Sequence, residues 1–298
     1  MRRVQPFFAT ILGLLLLALS GCQVAAQPAV PTAQPTSETT AAKKEIKEAT
    51  YVAFPTSVTS ASSIDLREIP PTRSMAGWKN VPIRECGEPL VLLNGIHPRV
   101  VVDARYQQKG IAGASTQQFL RKGAADRLIS AANRLPEGYK FVVFDAYRPL
   151  AVQQALFDSF KAIVKKDMPG ASENEISEAT QKYVSLPSSD LNRPSPHATG
   201  GAVDLSILGP DGQLLNMGTE FDSFEPQAGT AYFKERAGGE QIHRNRQLLY
   251  TLLVDAGFTN YPEEWWHFDY GNQFWGYLSG RDAIYGLADA LPPEKRGQ

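Results

Sequence analysis

Apolar positions fall into three regimes along the chain. Residues 7–19 form an almost unbroken apolar run behind the basic start Met1-Arg2-Arg3. Residues 23 to about 62 carry Pro, Ala, Thr, Gln, Ser and Glu, with too little apolar surface to offset the entropy of ordering them. From about Ser63 the pattern turns globular. Residues 81–94 contain strand-like stretches, and 99–103 is a short β-branched run. Ser115 predicts the cap of a helix to about Leu135, with Phe119, Leu120, Leu128, Ile129 and Ala132 on one stripe. Residues 140–144 read as a buried strand. Pro149 opens a helix with Val152, Leu156, Phe157, Phe160 and Ile163 at helical spacing, and Pro169-Gly170 stops it. Ser172 with Glu175 makes a capping box. Val203, Leu205 and Ile207 alternate with Ala202, Asp204 and Ser206, giving a strand with one apolar and one polar face. Residues 242–256 predict a helix ended by Gly257, and 266–270 a last strand. Strands and helices mix without a regular βαβ repeat. The fold class expected is α+β, with helices packed on a largely antiparallel sheet.

The first two regimes are expected outside that domain. A basic start, a short apolar run and small residues read as a secretory signal peptide over residues 1–21. Its end, Leu19-Ser20-Gly21-Cys22, resembles the bacterial lipobox, in which the cysteine is acylated and becomes the mature N-terminus. Residues 22–62 are then a flexible tether from a membrane surface, and 63–298 the folded domain. This predicts an extracytoplasmic, membrane-anchored lipoprotein. With Cys22 acylated, Cys86 has no disulfide partner and is expected to be a buried, inert thiol. Two cysteines exclude a disulfide scaffold and a zinc site built on several thiolates. A net charge of −1 gives no global electrostatic case for nucleic acid as a partner.

Three stretches carry candidate chemistry. His197 lies in a Pro/Gly-rich loop before Asp204, and Gly200 and Gly201 let the backbone bring the imidazole over that carboxylate. Glu264 and His267 lie in the segment around Trp265-Trp266. Asp145 and Arg148 stand where a buried strand exits into a helix. Two imidazoles and one carboxylate suit a catalytic zinc, leaving a fourth position for water. A separate carboxylate must then move the proton, and Glu264 is the candidate. On a straight strand Glu264 and His267 would face opposite ways, but Pro262 predicts a turn that swings Glu264 to the metal side. Arg148 cannot bind metal but can donate to an oxyanion. Plainer roles compete: an Asp145–Arg148 ion pair, a solvated Asp204, Trp265-Trp266 as core, Glu263 as surface charge. His97 and His243 have no such framing, and His243 is expected in solvent.

The stretches Ser195-x-His197-x-x-Gly200-x-Ala202-x-Asp204 and Glu264-x-Trp266-His267, with Tyr147-Arg148-Pro149 upstream, resemble the zinc D-Ala-D-Ala peptidases of the VanX/VanY group. Asn216-Met217-Gly218-Thr219-x-Phe221-Asp222, Asn245-Arg246-x-Leu248-Leu249, Ala256-Gly257-Phe258 and Asp103-Ala104-Arg105-Tyr106 are similar to its VanX-like branch, the D-alanyl-D-alanine dipeptidases. The likeness covers roughly residues 80–285. It implies one zinc ion held by His197, Asp204 and His267, Glu264 as catalytic acid/base, and Arg148 as transition-state stabiliser. The implied substrate is D-Ala-D-Ala or a related peptidoglycan peptide. Gln107 to Gly110 departs from the Asn-Phe that often follows the family's tyrosine. The lipoprotein start favours wall-peptide turnover over depletion of cytoplasmic precursors. Two other activities remain open on the sequence: a D,D-carboxypeptidase on longer stem peptides, and an inactive peptidoglycan-binding module. All five mechanistic residues are present, which speaks against the second.

Overall fold

The computed structural model describes residues 64–181, 184–291 and 295–296. The expected signal peptide, Cys22 and tether lie outside them. Among the described residues no helix is long and apolar enough to cross a membrane.

Among the described residues, seven strands and six α-helices build the domain. A two-stranded antiparallel ribbon joins β1 (Leu90–Leu92) to β3 (Phe119–Arg121). The main sheet contains β2 (Val100–Val102), β4 (Lys140–Asp145), β5 (Ala202–Leu208), β6 (Thr259–Asn260) and β7 (His267–Asp269), in the order β2-β4-β5-β7-β6. The β2–β4 pair is parallel and the others antiparallel, as the α+β reading expects. The short α1 (Arg105–Gln108) follows β2, and α2 (Lys122–Asn133) follows β3. The long α3 (Leu150–Asp167) leaves β4 and leads to α4 (Glu173–Gln181). Helix α5 (Glu240–Asp255) precedes β6, and α6 (Gln273–Ser279) follows β7.

The cross-strand register separates two sheet faces. Phe141 opposes Ile207, Val143 opposes Leu205 and Val203 opposes Phe268, so these residues share one face. They are fully buried in one core with Leu128 and Ala132 of α2 and Leu248, Leu249 and Leu252 of α5. The other face carries Asp204 and its neighbours. The polar positions expected on β5 are there, beside the apolar Val142 that opposes Ser206, but they are not solvated: Asp204 is 2% exposed and Ser206 is buried too.

Several boundaries differ from the expectation. Ser115 does not cap a long helix; its hydroxyl accepts from Gln117 N in a turn. Residues 119–121 extend instead, because β1 and the Tyr147 amide take their backbone hydrogen bonds. Tertiary pairing thus overrides the helical stripe. Pro149 stands one position before the first helical residue of α3. Ile163 is exposed, and Val164 is the buried residue of that turn. The Ser172–Glu175 capping box forms in both directions. Cys86 is exposed, not buried, because its segment runs over the surface. Partial burial of its thiol, with the carboxylates of Glu88 and Glu85, raises its pKa, which disfavours a reactive thiolate.

Candidate active site

Three strands place a row of polar residues across the buried polar face. Asp145, after a register shift in β4, opposes Asp204 in β5, and Asp204 opposes His267 in β7. His267 Nδ1 lies 3.0 Å from Asp204 Oδ1 as a consequence of that pairing. His197 arrives from a 3-10 turn, His197–Thr199, just before β5. Gly200 closes the turn with φ +71°, a left-handed conformation open to glycine. Arg121 holds the turn from below: its amide donates to Gly200 O, its Nε donates to Thr199 O, and its guanidinium pairs with Glu85. His197 Nε2 thereby lies 3.4 Å from Asp204 Oδ2 and 3.2 Å from His267 Nδ1.

The outer nitrogen of each imidazole is committed elsewhere. His197 Nδ1 is 2.7 Å from Ala146 O, and His267 Nε2 is 3.1 Å from Asp269 Oδ1. If each donates there as a neutral ring, the inner nitrogens present lone pairs to each other and to Asp204. Those acceptors fall within 4.8 Å of one another. The charge count points the same way. Buried Asp145, Asp204 and Asp269 stand against buried Arg148, and three carboxylates minus one guanidinium leave two negative charges. A divalent cation matches both the converging acceptors and the charge, and nitrogen and carboxylate donors suit zinc.

Electrostatics around the cluster are strongly perturbed. Burial by itself raises Asp204, but His197 and His267 outweigh it and hold the carboxyl well below its usual range. Burial opposes a charged His267, yet Asp269 and Asp204 outweigh it and raise that imidazole well above its ordinary value. Burial raises Asp145, against the pull of Arg148 and His197.

Glu264 stands on a turn, its amide donating to Tyr261 O. Asn260 Nδ2 pins the turn by donating to the carbonyls of Glu264 and His267. The turn after Pro262 does bring Glu264 to the side of His267, with Oε2 3.8 Å from Nδ1. The side chain stays 32% exposed in the cavity mouth, where burial pushes it up to about 8. Arg148 forms the ion pair weighed for it and also faces the cavity. Its Nη2 donates to Asp145 Oδ2 at 2.8 Å, and it lines the cavity 3.9 Å from Asp204. Its Nη1 donates to Gln153 Oε1.

A cavity of about 450 Å³ opens over this row. Trp266 is both core and wall, whereas Trp265 is held in the core by an indole bond to Thr219. Glu263 is exposed as expected. Asp222 lines the cavity, accepting from Tyr106 OH and Lys109 Nζ at a left-handed φ of +68°. His97 bonds to Asn133, away from the cavity, and His243 is half-buried, not solvated. Asp269 and Gln153 were missed by motif reading. The alternation His267-x-Asp269 was the available signal for the first, since residues two apart share a strand face.

A family model described as D-ala-D-ala dipeptidase, Peptidase M15, matches residues 88–281, more than half of the chain. A D-alanyl-D-alanine dipeptidase of Synechocystis is 35% identical over 223 residues, covering 66% of this chain and 87% of that protein. One of Escherichia coli is 28% identical over 186 residues, covering 60% and 83%. A solved D,D-pentapeptidase, VanY from a VanB-type resistance cassette in complex with Zn(II), is 17% identical with a TM-score of 0.34. It covers 69% of this chain and 97% of its own, a superposition too loose to carry an argument. On the family match and the Synechocystis relative, the chain belongs to the Peptidase M15 family of D-ala-D-ala dipeptidases and is a zinc metallopeptidase.

Proposed function

We propose that the protein hydrolyses the D-alanyl-D-alanine dipeptide in a zinc-dependent reaction, outside the cytoplasm, in the turnover of cell-wall peptides. The observation that carries this reading is the convergence of His197 Nε2, Asp204 and His267 Nδ1 beneath a cavity that Glu264 and Arg148 also line. His197, Asp204 and His267 would hold the ion, and zinc bound there would supply a Lewis acid that lowers the pKa of a water and polarises a carbonyl.

The remaining work falls to this chain's own groups. Water attacks the D,D-peptide carbonyl, and Glu264 takes the proton that the water loses. The C–N bond breaks, and Glu264 gives the proton to the leaving amine, so two D-alanines result. Its raised pKa suits both halves of that exchange. Arg148 presents a fixed positive charge to the oxygen that becomes negative. Asp145 and Gln153 hold its guanidinium, so no reorganisation is needed as the charge develops.

The location rests on the lipobox-like Leu19-Ser20-Gly21-Cys22 and the low-complexity stretch after it. Release of D-alanine from D-Ala-D-Ala by the zinc-loaded protein, beside a stem pentapeptide, tests the substrate. Hydrolysis of the dipeptide at a kcat/KM well above that of the pentapeptide is expected. The reverse order would make the protein a D,D-carboxypeptidase, and no hydrolysis of either would leave the binding-module reading.

A further inference from the structure

Asp269 is the most deeply buried ionisable group beside the cluster, at 0% exposure. Strand periodicity puts it on the same face of β7 as His267. Its Oδ1 accepts from His267 Nε2 at 3.1 Å and from Asn272 Nδ2 at 2.6 Å. Asn272 is fixed in turn, because its Oδ1 caps α6 by accepting from Trp275 N at 3.0 Å. Asp269 Oδ2, also buried, has no hydrogen-bond partner among the described residues. A sequestered carboxylate with one orphan oxygen is a poor element of pure scaffolding, since burial without full pairing is destabilising. It is compensated only if positive charge sits nearby. Arg148 is already bound to Asp145, and its next carboxylate is Asp204. The direct route from Asp269 to a cation runs through the imidazole of His267, whose other nitrogen faces the donor cluster.

We propose that Asp269, clamped by Asn272, is a positioning residue of the metal centre. It fixes the His267 ring with Nδ1 toward the ion and strengthens that nitrogen as a donor. This inference rests on zinc being held by His197, Asp204 and His267. Such outer carboxylates typically contribute about 10–100-fold in metal affinity. The arrangement also joins the centre to α6: Asn272 is at once the cap of that helix and the clamp on the carboxylate.

The test measures zinc affinity directly, by competition with a chromophoric chelator at one fixed pH, on the full chain in detergent. Asp269→Asn keeps an acceptor and loses the charge; Asp269→Leu loses both. Asn272→Ser keeps a helix cap and loses the clamp. Zinc Kd is expected to rise about 10-fold in Asp269→Asn, about 100-fold in Asp269→Leu, and less than in either in Asn272→Ser. The visible spectrum of the cobalt(II)-substituted protein should shift in the same order, a change that a purely structural role would not produce. His267→Ala, which removes a proposed ligand, separates the two levels. Loss of zinc in His267→Ala with wild-type affinity in both Asp269 variants would overturn the inference and leave the metal centre standing. Absence of zinc binding in the wild type would overturn both. If Asp269→Leu fails to fold, the near-isosteric Asp269→Asn and Asn272→Ser carry the test.

Discussion

Glu264 and Arg148 line one cavity but are held by different means, and their substitutions should separate accordingly. Glu264 stands on a turn and contacts the cluster at 3.8 Å, so Glu264→Ala should retain zinc and fold. Turnover should fall about 10²–10⁴-fold, or roughly 3–5 kcal/mol of barrier, the usual size of general acid–base catalysis. Arg148→Ala should lower turnover about 10²–10³-fold, as loss of one oxyanion donor does. It also strips Asp145 of its partner, so part of its effect should appear as lower stability. His243→Ala, remote from the cavity lining, serves as the control and should leave the rate unchanged. Dipeptide hydrolysis with zinc content measured in parallel decides these; near-wild-type turnover in zinc-loaded Glu264→Ala removes the proton-transfer role. In the metal-free protein, Asp269 and Asp204 raise the pKa of His267 well above its ordinary value. Protonation of His267 stabilises the metal-free fold fully below about pH 6.5 and is lost as pH rises through the raised value. Zinc must displace the proton, so binding should release protons and weaken as pH falls. Calorimetric titration in two buffers of different ionisation enthalpy checks this, and identical apparent enthalpies would contradict it.

At the scale of elements, the site depends on how closely two segments approach. A Cβ on Gly201 would lie 2.4 Å from Tyr270 O, where β5 meets the end of β7. Backbone cannot yield there as a flexible side chain would. Gly201→Ala should therefore destabilise the protein by about 1–3 kcal/mol, the range for overpacking. It should also weaken zinc binding, because the same displacement moves β7 and with it His267. Thermal melting and chelator competition read the two effects, and an unchanged zinc affinity would show that the strand junction does not set the site. Arg246 illustrates an element-scale device of another kind. It is buried on α5 with no carboxylate partner among the described residues, and burial lowers its pKa to about 9. Its guanidinium instead donates to the carbonyls of Met217, Gln227 and Gly229, tying the 217–229 segment, which carries Asp222 to the cavity wall.

At the scale of the whole molecule, the N-terminal Leu19-Ser20-Gly21-Cys22 bears on where the enzyme works. If Cys22 is acylated, Cys22→Ser should leave the precursor unprocessed or release the protein from the membrane fraction. Fractionation with intact-mass measurement tests it; unchanged mass and partition would remove the lipoprotein assignment. The substrate is set at this scale too. Free dipeptide and stem peptide differ in what extends beyond the scissile bond, and the cavity is bounded by segments far apart in the chain, from Thr72 to Phe274.

Local patterning determined much of this protein. The alternation in 202–207 predicts β5, Ser172 with Glu175 predicts a helix start, and the spaced His197, Asp204 and His267 are residues whose donor atoms the structure brings within 4.8 Å of one another. These were legible because strand period, cap chemistry and ligand type are properties of adjacent residues. Other features needed the tertiary structure. The extended segment Phe119–Arg121 carries a helical stripe, and only its pairing with Leu90–Leu92 selects the strand. The burial of Asp204 depends on what covers the second sheet face, which periodicity along one strand does not encode. The row Asp145, Asp204, His267 is set by the registers of three strands brought together from separate parts of the chain, and one of those registers shifts within β4. Register comes from pairing partners and the residues packed on each face, so it is decided only when the whole sheet assembles.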